Sequence, residues 1–125
     1  TSEPPQKVLA RTHRLVADSA DALLNETGEE QYLVHFLRSS IALLDLQREI
    51  LWEEHCDVAR TLYDVSEGMR ACEPALLLRE FPRFSSAREA AIFESTCRQE
   101  HRRIKGQYDL GILQYRRHKD MSRGK

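Results

Sequence analysis

Long apolar runs are absent from this chain. None approaches the roughly 20 residues needed to cross a bilayer, so no membrane-spanning helix and no membrane partner are expected. Period-two alternation is missing too, as are Asn-Gly and Asp-Gly hairpin signals, which argues against strands. The 4 prolines and 5 glycines sit near apparent boundaries, leaving long stretches free to be helical. Three cysteines, Cys56, Cys72 and Cys97, are odd in number and widely spaced. A disulfide framework or a zinc site needs pairs at short spacing; three ordinary intracellular thiols are expected instead. The start, TSEPPQK, has no basic segment followed by an apolar one, so no signal peptide is read. The expected location is therefore intracellular, in the cytoplasm. A starting Met is lacking as well, which fits an excised domain or a processed product.

What is present points to one all-α domain. At 125 residues, 41% of them apolar and 31% charged, the chain is long enough to build a core of three to five helices. Net charge is −1, but it is unevenly spread. Residues 1–97 carry 10 Lys/Arg against 17 Asp/Glu, a net −7, and residues 98–125 carry 9 against 3, a net +6. An acidic helical body with a basic C-terminal helix and tail, within a single domain, is the expected organisation.

The stretch 50–69 organises the rest. Ile50, Leu51 and Trp52 close an apolar run, and His55-Cys56-Asp57 turns the chain, with Asp57 the expected N-cap. Val58, Leu62, Val65 and Met69 recur at helical spacing, while Ala59 and Ser66 keep that face small enough for a close neighbour. Upstream, Pro4-Pro5 starts a helix over about 5–25 with a stripe of Val8, Thr12, Leu15, Val16, Ser19, Leu23 and Leu24; Gly28 ends it. A second helix, about 29–52, has Tyr32, Leu33, Phe36, Leu37, Ile41, Leu44 and Ile50 on its main face. Leu43, Leu46 and Leu51 widen that face enough to imply contact on two sides, so this is the expected central helix. A third, about 57–72, stops before Glu73-Pro74, and a short apolar piece, 75–81, stops at Pro82. Ser85 or Ser86 then caps a long last helix, with Glu89 placed for a capping box. Its seam, Ala90, Cys97, His101, Ile104, Tyr108, Gly111 and Tyr115, is heptad-like, as in a coiled coil. Gly106 and Gly111 each cost about 1 kcal/mol against Ala, so a kinked or frayed end is expected, with 121–125 disordered.

The order helix, Gly28, helix, then His55, Asp57, Val58, Ala59, Arg60, Thr61 and Leu62 opening a third helix resembles degenerate tetratricopeptide repeats of the kinesin-light-chain type. Cys56 stands where that family usually has proline, and no further repeat is recognisable after Cys72. The resemblance implies stacked antiparallel helical hairpins that serve protein–protein interaction.

No residue set names a reaction. The histidines, His13, His35, His55, His101 and His118, are scattered with no i, i+4 pair, so no metal site is expected. His55 reads as a turn residue and His101 as an interface histidine. The pairs Glu29-Glu30 and Glu53-Glu54 sit at helix ends, where acids serve the helix dipole rather than acid–base chemistry. No nucleophile elbow or phosphate loop occurs, so a non-enzymatic, cofactor-free interaction or scaffold module is expected. Its partner would be another protein or a second copy. The expected groove lies between the second and third helices, with Tyr32, Phe36, Trp52, Leu62 and Tyr63 as anchors. The alternative is a nucleic-acid-binding accessory protein. Arg98, Arg102, Arg103, Lys105, Arg116, Arg117, Lys119, Arg123 and Lys125 would contact phosphates, and Tyr108 and Tyr115 would stack on bases.

Overall fold

The computed structural model describes residues 4–51 and 55–123, with 110–123 as backbone only. The fold is all-α: α1 (Pro5–Thr27), α2 (Glu30–Ile50), α3 (Cys56–Ala71), α4 (Pro74–Glu80) and α5 (Ala87–Arg123). Among the described residues there is no strand.

Local chemistry sets the boundaries. Pro5 occupies the first turn of α1, where its missing N–H costs nothing. At the other end Gly28 turns left-handed at φ 70°, and its N–H closes the last turn on the Leu24 carbonyl at 2.8 Å. Two residues later α2 begins, so α1 and α2 form a tight antiparallel hairpin. The N-cap of α3 is His55, not Asp57. The chain is already helical at Cys56, and Nδ1 of His55 accepts the Asp57 N–H at 3.0 Å. Asp57 is left in the first turn, where a carboxylate suits the helix dipole. For α5 the cap is Ser86, whose Oγ accepts the Glu89 N–H at 3.1 Å. The Glu89 carboxylate takes the Ser85 hydroxyl, so only half of the reciprocal box forms. The α-helix is unbroken at Gly106 and Gly111: α5 runs on through both and through Met121 to Arg123, past the expected end. Intact i→i−4 bonding over the rest of the helix outweighs the cost of two glycines.

Packing follows from α2. Its broad stripe is buried as expected, with α1 on one side and α3 on the other. The α2–α3 contact is close because Gly68 lies against Phe36 and Leu37; a Cβ there would stand 3.1 Å from Leu37 Cδ1. Next, α5 lies antiparallel to α3, pairing His101 with Ala59 and Glu94 with Ser66. The heptad-like seam is used within the chain: Ala90, Cys97 and Ile104 are buried in the main core, with Tyr108 partly buried against it. The change from acidic to basic composition at residue 98 thus falls inside a single helix. Arginine clamps fasten α4 and the following turn to α2, through Arg38–Glu80 at 3.2 Å and Arg83–Asp45 at 3.1 Å. Arg83 also lies over the Phe93 ring. No described helix is long and apolar enough to cross a membrane.

Candidate interaction surface

Helix α1 packs with the opposite face from the one its sequence advertises. Only Ala17 and Ala20 of its residues are buried, in a small cluster with Phe36 apart from the main core. Two ion pairs supplement them. Arg14 reaches Asp64 at 2.8 Å and the Thr61 hydroxyl at 2.7 Å, and Arg60 reaches Asp18 at 3.3 Å. Asp64 is mostly buried, and that burial pushes its pKa above 3.8 although the Arg14 hydrogen bond and charge oppose the shift.

The oily face points outward in consequence. Leu15 is 70% exposed, and Val8, Leu9, Val16 and Leu23 are each 39–48% exposed. Single exposed leucines mean nothing, but a contiguous set on one helix face does. Leu15, Val16 and Leu23, with Ser19 and Ala20, line a groove of about 340 Å³ whose α2 wall is Tyr32 and His35. Thr12 adds its methyl there, since its hydroxyl donates back to the Val8 carbonyl at 2.9 Å.

The expected anchors scatter. Leu62 is fully buried and Phe36 is buried beneath Gly68, so both belong to the core; the close α2–α3 approach leaves no room for a guest at either. Tyr63 is half exposed and leans on the His101 ring at 5.1 Å. Trp52 lies outside the described residues. Tyr32 borders an apolar groove, and that groove lies between α1 and α2.

The basic residues of α5 divide differently. Arg98 sits 3.6 Å from Glu94. Arg102, Arg103 and Lys105 are exposed, and among the described residues Arg102 and Lys105 enter no ion pair. The side chains of Arg116, Arg117, Lys119, Arg123 and Lys125 lie outside the described residues. It is the acids of α5 that reach the body, Glu100 to Arg48 at 3.0 Å and Glu94 to Arg70 at 4.0 Å. Docking of α5 therefore rests on its apolar seam and leaves Arg102 and Lys105 facing solvent.

His55, Cys56 and Asp57 bring three potential metal ligands within 4.8 Å. The Nδ1 lone pair of His55 is already occupied by the Asp57 N–H, so the cluster is built as a helix cap. His101 Nδ1 donates to the Ala59 carbonyl at 2.9 Å, a satisfied interface histidine. Burial pushes the Cys97 thiol up to about 11 and raises Cys72 as well, the reverse of what a nucleophilic thiolate needs.

No protein-family model matches this chain, no curated protein matches it, and no solved structure matches its fold.

Proposed function

We propose that the protein is a non-enzymatic helical interaction module whose docking surface is the outward face of α1 with the adjoining edge of α2. One observation carries this: five large apolar side chains on a single helix are left in water while only two alanines of that helix are buried. Covering them with another surface releases ordered water and costs no core contact. The tight α1–α2 hairpin and the His55 entry into α3 also support the tetratricopeptide-like reading, in which paired helices present such faces to partners. Three unpaired thiols agree with a cytoplasmic setting.

The test is a photo-crosslinking amino acid at position 15, with position 92 as control. Ile92 is also exposed but stands alone among the exposed large apolar residues described on α5. Covalent adducts with a protein chain at position 15 and none at position 92 are expected. Absence of any adduct at position 15 in a folded protein overturns the reading.

A second reading has its own observation, the exposed Arg102 and Lys105. They support contact with phosphates of nucleic acid through α5. Binding to random oligonucleotides would then weaken steeply with salt, and Arg102→Glu with Lys105→Glu would abolish it. No retention at low salt removes this reading.

A further inference from the structure

The charges of α5 are sorted by side. Its acids Glu94 and Glu100 turn onto the body, reaching Arg70 at 4.0 Å and Arg48 at 3.0 Å. The outward side has a different content. Arg88, Ile92, Ser95, Gln99, Arg102 and Gly106 step alternately by four and three residues, so they share one face of the helix. That face lies opposite the buried Cys97 and Ile104, and all six are exposed except the partly buried Ser95. None of the six is acidic, and Asp109, the next position in the series, ends the acid-free run. Lys105 stands on the flank beside Gly106, exposed as well.

Gly106 is the position that asks for an explanation. A glycine inside a helix is disfavoured relative to Ala, and one in mid-helix commonly marks a close approach. For Gly68 the approaching group is visible, since Phe36 and Leu37 lie against it. For Gly106 there is nothing in the chain within 4 Å of where a Cβ would stand. The space it leaves is open to solvent, one turn beyond Arg102 and next to Lys105. A bare backbone flanked by cations lets an anionic backbone come close.

The aromatics narrow the class of anion. Single strands are held largely by bases stacked on aromatic side chains, and this face has none. Tyr108 is partly buried against the core, and Tyr115, seven residues on, falls on the same side of the helix by register. Contact is therefore with phosphates alone. Arg88 and Arg102 stand about 21 Å apart along the axis, more than the roughly 12 Å width of the B-form major groove. The two can reach phosphates on both sides of that groove, whereas the major groove of duplex RNA is too deep and narrow to be used this way.

We propose that the outward face of α5 binds double-stranded DNA through its backbone, without reading sequence. Arg102 and Lys105 grip one strand where it passes over Gly106, and Arg88 takes a phosphate across the major groove. The proposal rests on the reading of Arg102 and Lys105 as phosphate contacts and deepens it by naming the form of the ligand.

The experiment is fluorescence anisotropy of the full chain with a random-sequence DNA duplex, one of its single strands, and an RNA duplex of the same length, each over a range of salt. Wild type should hold the DNA duplex most tightly. Gly106→Leu should weaken that binding at least about 10-fold with helicity equal or higher, because the added side chain meets no atom of the protein. Arg88→Gln should lower the log–log salt slope by about 0.9, one phosphate contact, while Lys7→Gln on α1 leaves it unchanged. Tighter binding of the single strand or of the RNA duplex, or a Gly106→Leu variant that binds as wild type does, overturns the proposal. If single strands bind as well as duplex and the binding is lost with Arg102→Glu and Lys105→Glu, the phosphate reading stands and the duplex falls. If nothing is retained at low salt, both fall.

Discussion

Helices α1 and α3 are neighbours built on opposite terms. In α3, 8 of 16 residues are buried, so its position is decided by apolar contact on nearly every turn. In α1 only 2 of 23 are buried, both alanines, so its position depends on close approach along α2, on the Gly28 hairpin and on two ion pairs to α3. The difference teaches where the free energy of this fold resides. Burial scales with apolar area, and the main core spans α2, α3, α4 and α5 without a fully buried contribution from α1. Helix α1 runs close along α2, yet its larger side chains stay outside.

The contrast can be broken most forcefully from the core side. Leu62→Ala empties a fully buried site and should cost about 2–5 kcal/mol in urea unfolding, read by far-UV circular dichroism. Next comes Gly68→Ala, which on an open helix would stabilise. Here the added Cβ would stand 3.1 Å from Leu37 and 3.3 Å from Phe36, and overpacking of this kind costs about 1–3 kcal/mol, more than the helix-propensity gain of about 1 kcal/mol. A stabilised Gly68→Ala would mean the two helices are further apart.

On the α1 side the ion pair gives a smaller, pH-dependent effect. Asp64 has a folded pKa raised above 3.8, so the folded chain holds its proton more tightly than the unfolded chain does. The stability of wild type minus that of Asp64→Asn should therefore be flat near neutral pH and increase as pH falls through the raised pKa toward 3.8. A difference that shrinks on acidification would show that Arg14, not burial, dominates. The smallest effect belongs to Leu15→Gln. With Leu15 largely in solvent, its replacement should shift monomer stability by no more than about 0.5 kcal/mol, measured at high dilution, against several for Leu62→Ala.

The sequence made the helices easy to place and the orientation of α1 hard. Gly28, Pro74, Pro82 and Ser86 act on the backbone of their own neighbourhood, so every helix was legible, most to within a residue or two. The face of α1 was not. Periodic apolar residues normally mark the inward side, and Val8, Leu15, Val16 and Leu23 carry that signal more strongly than Ala17 and Ala20. Alanine buries too little to be conspicuous, and a partner-facing stripe looks the same as a core-facing one. The apolar pattern therefore points to a groove between α2 and α3, where Phe36 and Leu62 are in fact core. One residue carries the contrary signal: Gly68 in mid-helix, which marks a close approach. His55 as a cap is obscured by Asp57, a better cap by type but two positions too late.

The most direct measurement is native-state amide hydrogen exchange compared between α1 and α3. With only two of its side chains fully buried, α1 should exchange through local opening at a free energy well below that of α3, whose amides are locked in the core. Equal protection in the two helices would contradict the account.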